Sequence, residues 1–123
     1  MTRTFFFDTY ALAEIIFGNK NFGPFVTNTS IITTRFHLME LHYSILSKWN
    51  EQAADFYYQF YLPYVVEIPD QIIVAASRFR HRHKKSKLSY IDYIGYIYAK
   101  SLHVPFLTGD KEFRNLENVE FVK

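Results

Sequence analysis

The sequence predicts an α/β domain, a central and mostly parallel β-sheet flanked by helices. Three observations predict it. Short, wholly apolar runs such as Phe5-Phe6-Phe7 and Phe106-Leu107 alternate with longer stretches of helical period. Strands that are apolar throughout belong to sheets covered on both faces. No repeat, low-complexity tract or Pro/Gly/Ser linker divides the 123 residues, so one domain over 1–123 is expected.

The elements follow in order. Residues 3–7 read as a short apolar strand. Residues 10–17 read as a helix stopped at Gly18-Asn19, a C-cap pair. Residues 21–28 are polar and broken by Gly23-Pro24, which leaves a loop or a short helix. Residues 31–33 form a brief strand or turn. Residues 35–49 form a long helix with Leu38, Leu41, Ile45 and Leu46 as its apolar positions. Asn50 N-caps the next helix, which Pro63 follows. Residues 65–68 read as a second strand, and Asp70 as the cap of a helix running into a basic block. Ser89 caps a helix over 90–102. Residues 104–107 read as a third strand, 112–116 as a helical turn and 119–122 as a last strand.

Composition narrows the function. Half the chain is hydrophobic and a fifth aromatic, enough for a filled core. The absence of cysteine excludes disulfides, thiol catalysis and thiolate metal sites. No apolar run approaches the roughly 18 residues that a membrane span needs. The N-terminus turns acidic too soon for a signal peptide. A soluble, cytoplasmic protein without membrane contact is expected. The net charge is only +2, yet the segment "RFRHRHKKSK", residues 78–87, holds six of the fourteen Lys and Arg. The remainder is mildly acidic. A basic block on an acidic body points to an anionic partner on one side.

Four acids stand where ordinary patterning would not put them. Asp8 follows the first strand and Asp110, in "FLTGDKEF", follows the third. In parallel sheets ligands bind beyond the carboxyl ends of the strands, so adjacent strands would aim both acids into one crevice. Glu40 lies between Met39 and Leu41, and Asp92 lies among tyrosines and isoleucines. Each has an ordinary reading. Asp8 suits a helix N-cap, Asp110 a turn and Glu40 a partner for Arg35. Asp92 suits the capping box of Ser89. Together they suit a hard divalent cation, Mg²⁺ or Mn²⁺, which prefers carboxylate oxygens and serves phosphoryl chemistry.

The ordered set "FFFDTYAL", "FHLMELHYSIL", "LSYIDYIGYIYAK" and "FLTGDKEF" resembles the PIN-domain family, within it the archaeal-like VapC-type toxin ribonucleases. The resemblance spans essentially the whole chain. It implies a PIN-like three-layer sandwich. Asp8, Glu40, Asp92 and Asp110 match the acidic positions that hold one or two Mg²⁺ or Mn²⁺ ions. It also implies hydrolysis of RNA by metal-activated water, a homodimer and silencing by a small antitoxin. Thr108 matches the hydroxyl residue two before the last acid, and Ser89 the capping hydroxyl upstream of the third. Asp8, Asp92 and Asp110 are expected to hold the ion, with Glu40 binding it or orienting water. Tyr10 and Tyr93 depart from the family's smaller or polar residues, and both are large enough to crowd the groove. A catalytically degenerate RNA-binding module is the alternative on that account.

In the basic block, Arg78, Arg80, Arg82, Lys84 and Lys85 are candidates for phosphate contact, against the plain reading of a solvated helix end. The tyrosines are mostly core and interface, with one or two free to stack on bases. Surplus aromatics also fit a buried dimer face. His37 and His42 are five apart and not an H-E-x-x-H pair, so no zinc site is expected. The absence of phosphate-cradling glycine loops and of G-x-S-x-G disfavours nucleotide cofactors and acyl transfer. A small-molecule phosphatase would often show D-x-D at Asp8, but Tyr10 occupies that position.

Overall fold

The computed structural model describes residues 2–123. Strands β1 (Arg3–Phe7), β2 (Thr29–Ile32), β3 (Phe106–Thr108) and β4 (Val119–Phe121) form one sheet in the order β2-β1-β3-β4. Every neighbouring pair is parallel. Helices α1 (Thr9–Ile16), α2 (Arg35–Lys48), α3 (Glu51–Tyr61), α4 (Asp70–Arg82) and α5 (Tyr90–Ser101) complete the fold with short 3-10 turns.

The alternation of side chains along a strand divides the core in two. Phe5, Phe7 and Leu107 pack with α1, α2 and α3, against Leu12, Leu38, Leu41 and Ile45. Phe6 and Phe106 face the other way, onto Ile72, Ala76, Tyr96 and Ala99 of α4 and α5. Both faces of the sheet are therefore sealed, which is why these strands hold no polar alternation. Full burial of each phenylalanine is worth about 1.5–3 kcal/mol. The result is the three-layer arrangement expected from the sequence. Among the described residues no helix is long and apolar enough to cross a membrane.

Local capping places the helix starts. Asn50 accepts from Ala53 N at 2.8 Å, and Ser89 and Asp92 form a reciprocal capping box. Three expectations need correction. Residues 65–68 form no strand. Held between Pro63 and Pro69, the stretch adds only a bridge from Val65 to Thr33 beyond the edge of β2. Asp70 is not a cap: Pro69 occupies that position without a side-chain bond, and Asp70 sits in the first turn. There its charge still complements the helix dipole. Leu46 is not part of the core. Leu38, Leu41 and Ile45 are buried, while Leu46 joins Phe36, Met39 and Tyr43 on the outer face of α2. This helix is thus apolar on two sides.

Candidate active site

β1 and β3 are neighbours, with Phe7 opposite Leu107. The chain beyond each strand therefore emerges at one edge of the sheet. Asp8 leaves β1 as the N-cap of α1 and is only 2 % exposed. Its Oδ1 accepts from Thr9 N at 2.8 Å and its Oδ2 from the Thr108 hydroxyl at 2.7 Å. Thr108 closes β3, and its Oγ1 also accepts from Asp110 N at 3.1 Å. One buried hydroxyl thus ties the acid after β1 to the acid after β3. Asp110 caps the following 3-10 turn through Glu112 N, at 3.0 Å.

Gly109 permits this connection. A Cβ there would stand 2.2 Å from Val122 O and 2.4 Å from the Tyr10 ring, so no side chain fits between Thr108 and Asp110.

The other two acids come from the helices. Glu40, half-buried on α2, accepts from the Thr9 hydroxyl at 3.0 Å. Asp92, half-buried in the first turn of α5, accepts from Ser89 N at 2.8 Å. The capping-box reading of Asp92 is therefore correct, and the N-cap reading of Asp8 is too. The pairing of Glu40 with Arg35 is not, because Arg35 bonds Glu67 at 2.6 Å instead. Among the described residues no Lys, Arg or His forms an ion pair with any of the four acids.

The acids nevertheless feel one another. Burial pushes the Asp8 carboxyl up to about 8, with Asp92 and, more weakly, Glu40 adding to the rise and Thr108 and Thr9 opposing it. Burial also raises Glu40, with the charge of Asp92 behind it. Asp92 is raised by burial and by Asp110. The four carboxylates thus form one repelling set. Among the described residues, however, no three His, Cys, Asp or Glu side chains are gathered tightly enough to enclose an ion as they stand. Each is drawn off by its own local donor. The set fits a hard cation by its chemistry: the donors are all oxygen, partly desolvated and without a basic partner.

Of the two tyrosines expected to crowd the groove, Tyr93 turns away from it, while the Tyr10 ring packs against Gly109, next to Asp110. Tyr93 is 1 % exposed and packs on Phe79 in the core beneath α4. Tyr10 is half-buried against Phe22, under Lys123. His37 is fully buried and neutral, its imidazole pushed down to about 3 by burial. Its Nδ1 meets Thr34 Oγ1 at 2.6 Å and its Nε2 has no partner. Sequence reasoning missed Thr9 and Gly109. Thr9 was discoverable in principle, since a hydroxyl directly after an N-cap acid faces the next element. Gly109 was not, because its need comes from Val122 and Tyr10, both distant in sequence.

The basic block ends α4 and turns toward α5. Arg80, Lys84, Ser77, His81 and Tyr90 line one cavity of about 320 Å³. His81, Arg82, Lys84 and Lys85 line an adjoining one of about 450 Å³. Arg78 lines neither and is exposed. His83 is engaged locally, stacked on Phe79 at 4.0 Å.

A PIN-domain family model matches residues 5–119. No curated protein sequence matches. Among solved structures, the sarcin-ricin-loop-cleaving toxin VapC20 of Mycobacterium tuberculosis aligns at TM-score 0.81 and 16 % identity, over 97 % of this chain and 99 % of that one. A toxin–antitoxin complex from Klebsiella pneumoniae aligns at 0.71 and 18 %, over 94 % of each chain. VapBC2 from Rickettsia felis, bound to a promoter DNA fragment, aligns at 0.72 and 13 %, over 98 % and 99 %. At such identities these likenesses establish the fold alone.

Proposed function

Because the chain belongs to the PIN-domain family, we propose that it is a divalent-metal-dependent endoribonuclease, the toxin of a toxin–antitoxin pair. The observation that supports this most directly is the unneutralised acid set. Asp8, Glu40 and Asp92 are each raised by burial and by a neighbouring carboxylate, with no base beside them. A fold does not gather repelling acids from a strand end and two helices for stability, since doing so costs stability.

Asp8, Asp92 and Asp110 would hold Mg²⁺ or Mn²⁺, with Glu40 binding it or orienting water. When bound, such an ion supplies charge neutralisation at the phosphate and activates water for attack on phosphorus. The remaining work belongs to the chain. Thr108 fixes the Asp8 carboxylate and the backbone of Asp110 together. Thr9 holds Glu40 toward Asp8. Ser89 fixes the turn that presents Asp92. Neither histidine of α2 is offered as general base: His37 is buried and His42 is paired with Asp55.

The partners follow from the surface. Basic residues Arg80, Arg82, Lys84 and Lys85 offer phosphate contacts for RNA. Phe36, Met39 and Tyr43 on α2, with Phe56 and Phe60 on α3, are exposed apolar side chains. They support burial against a protein, either an antitoxin or a second copy. The relatives seen in toxin–antitoxin complexes favour the former as one partner.

The decisive experiment is cleavage of a single-stranded RNA pool by purified protein with Mg²⁺, Mn²⁺ or EDTA. Cleavage is expected only with metal, and Asp8→Asn is expected to abolish it. Equal rates for wild type and Asp8→Asn would overturn the proposal.

A further inference from the structure

We propose that the end of α4 and the start of α5 form a phosphate pocket for a nucleotide of single-stranded RNA lying outside the cut, with Tyr90 as its stacking wall. The proposal rests on the ribonuclease reading only for the identity of the anion.

Ser77, Arg80 and His81 are spaced three and four apart and share one face of α4, and the turn after the helix brings Lys84 to line the same cavity. Tyr90 closes the cavity from α5. The Arg80 guanidinium lies 4.1 Å from the centre of the Tyr90 ring. Tyr90 is 58 % exposed, an unusual position for a tyrosine whose neighbours Tyr93, Tyr96 and Tyr98 are buried. This cation–π contact holds Arg80 against the ring before any ligand arrives, which lowers the ordering cost of binding. The guanidinium keeps its N–H fork for a phosphate, which it matches in pairs of bonds.

No carboxylate lines this cavity. Among the described residues neither Arg80 nor Lys84 has an ion-pair partner. A cavity of about 590 Å³ between α2 and α3 differs in this respect. Its Arg35 is paired with Glu67 and its His42 with Asp55. The adjoining cavity shares His81 and Lys84 and adds Arg82 and Lys85. Two linked basic cavities fit a polyanion better than a free phosphate. Arg80 covers one face of the Tyr90 ring, and the rest of this exposed ring offers a stacking surface for an unpaired base. Tyr90 and Asp92 both lie in the first turn of α5, so the cavity and the acid set share that helix end.

The test is binding of a fluorescent single-stranded RNA of about 12 nucleotides in EDTA, from roughly 50 to 300 mM salt. Arg80→Ala and Lys84→Ala are each expected to weaken binding about five- to tenfold and to lower the salt slope by about one. Arg80→Lys and Tyr90→Leu are expected to weaken binding while leaving the salt slope near wild type. Lys20→Ala, on the exposed turn after α1, serves as the control and is expected to change neither. Loss of affinity by Lys20→Ala equal to that of Arg80→Ala would mean diffuse attraction and overturn the pocket. So would capture of an acidic peptide that Arg80→Ala abolishes while RNA affinity is unchanged. The same preparations are then assayed with Mn²⁺. RNA bound through Arg80 but never cut refutes the nuclease and leaves the pocket standing. RNA cut by a protein whose binding ignores Arg80 and Lys84 refutes the pocket alone.

Discussion

The Thr108 hydroxyl donates to Asp8 Oδ2 at 2.7 Å, joining positions 100 residues apart in sequence. The same oxygen accepts from Asp110 N. Thr108→Val keeps the shape of this buried side chain and removes both bonds. A buried carboxylate oxygen and a backbone N–H lose their partners, at a cost of roughly 1–3 kcal/mol each way. The carboxyl of Asp8 should rise further, since Thr108 is one of the contacts that lower it. Denaturant unfolding should show the loss of stability, and a Mn²⁺ titration of RNA cleavage should show half-maximal activity displaced to higher metal.

Stability should depend on pH through Asp8. Its folded carboxyl titrates near 8 against an ordinary value of 3.8, mainly through burial. The folded state therefore favours the protonated form. The associated stability is fully present below about pH 4 and is lost as pH rises toward 8, with a slope approaching 1.4 kcal/mol per pH unit. Asp8→Asn removes this slope. The variant should match wild type near pH 4 and exceed it by on the order of 5 kcal/mol at pH 8. Divalent metal should stabilise wild type at pH 8 and leave the variant unmoved. Thermal melts across pH, with and without Mg²⁺, read all three effects.

Gly95 of α5 is held small by His37. A Cβ at that position would meet His37 Nε2 at 2.5 Å and Phe106 at 2.9 Å. His37 is itself buried, wedged edge-on against Phe6 at 5.2 Å, so it has little room to yield. Gly95→Ala gains helix propensity of about 1 kcal/mol but overpacks this contact. A net loss of ~1–3 kcal/mol is expected, measured by chemical denaturation. A stabilised Gly95→Ala would show that the two helices part easily.

Much of this arrangement was legible from local patterning. Asp8, Asn50 and Ser89 read as caps because each precedes a run of helical period, and the apolar runs marked β1 and β3. That both acids would meet in one crevice was conditional on β1 and β3 being neighbours, which the sheet order supplies. What failed depended on partners distant in sequence. Residues 65–68 have strand composition but only the outer edge of β2 to pair with. Leu46 fits the period of α2 yet falls on a face that nothing in the chain covers. Tyr93 looked obstructive at its position beside Asp92, and only the packing of α4 turns it inward. Glu40 beside a free-looking Arg35 suggested a pair, until Glu67 of a later loop claimed the arginine.

Asp92 performs two tasks that one substitution can separate. Its Oδ2 accepts from Ser89 N at 2.8 Å, completing the capping box of α5. Its charge also raises Asp8 and Glu40. Asp92→Asn keeps an oxygen for Ser89 N and removes the charge. Stability should then stay within ~1 kcal/mol of wild type, because the weaker cap is offset by relieved repulsion. Cleavage of RNA should fall by two orders of magnitude or more, since a neutral amide is a poor ligand for a hard cation. Asp92→Ala loses both tasks and should also unfold earlier, by about 1 kcal/mol. Melting curves beside initial rates in Mn²⁺ separate the cases. If Asp92→Asn retained full activity, Asp92 would be a cap and nothing more.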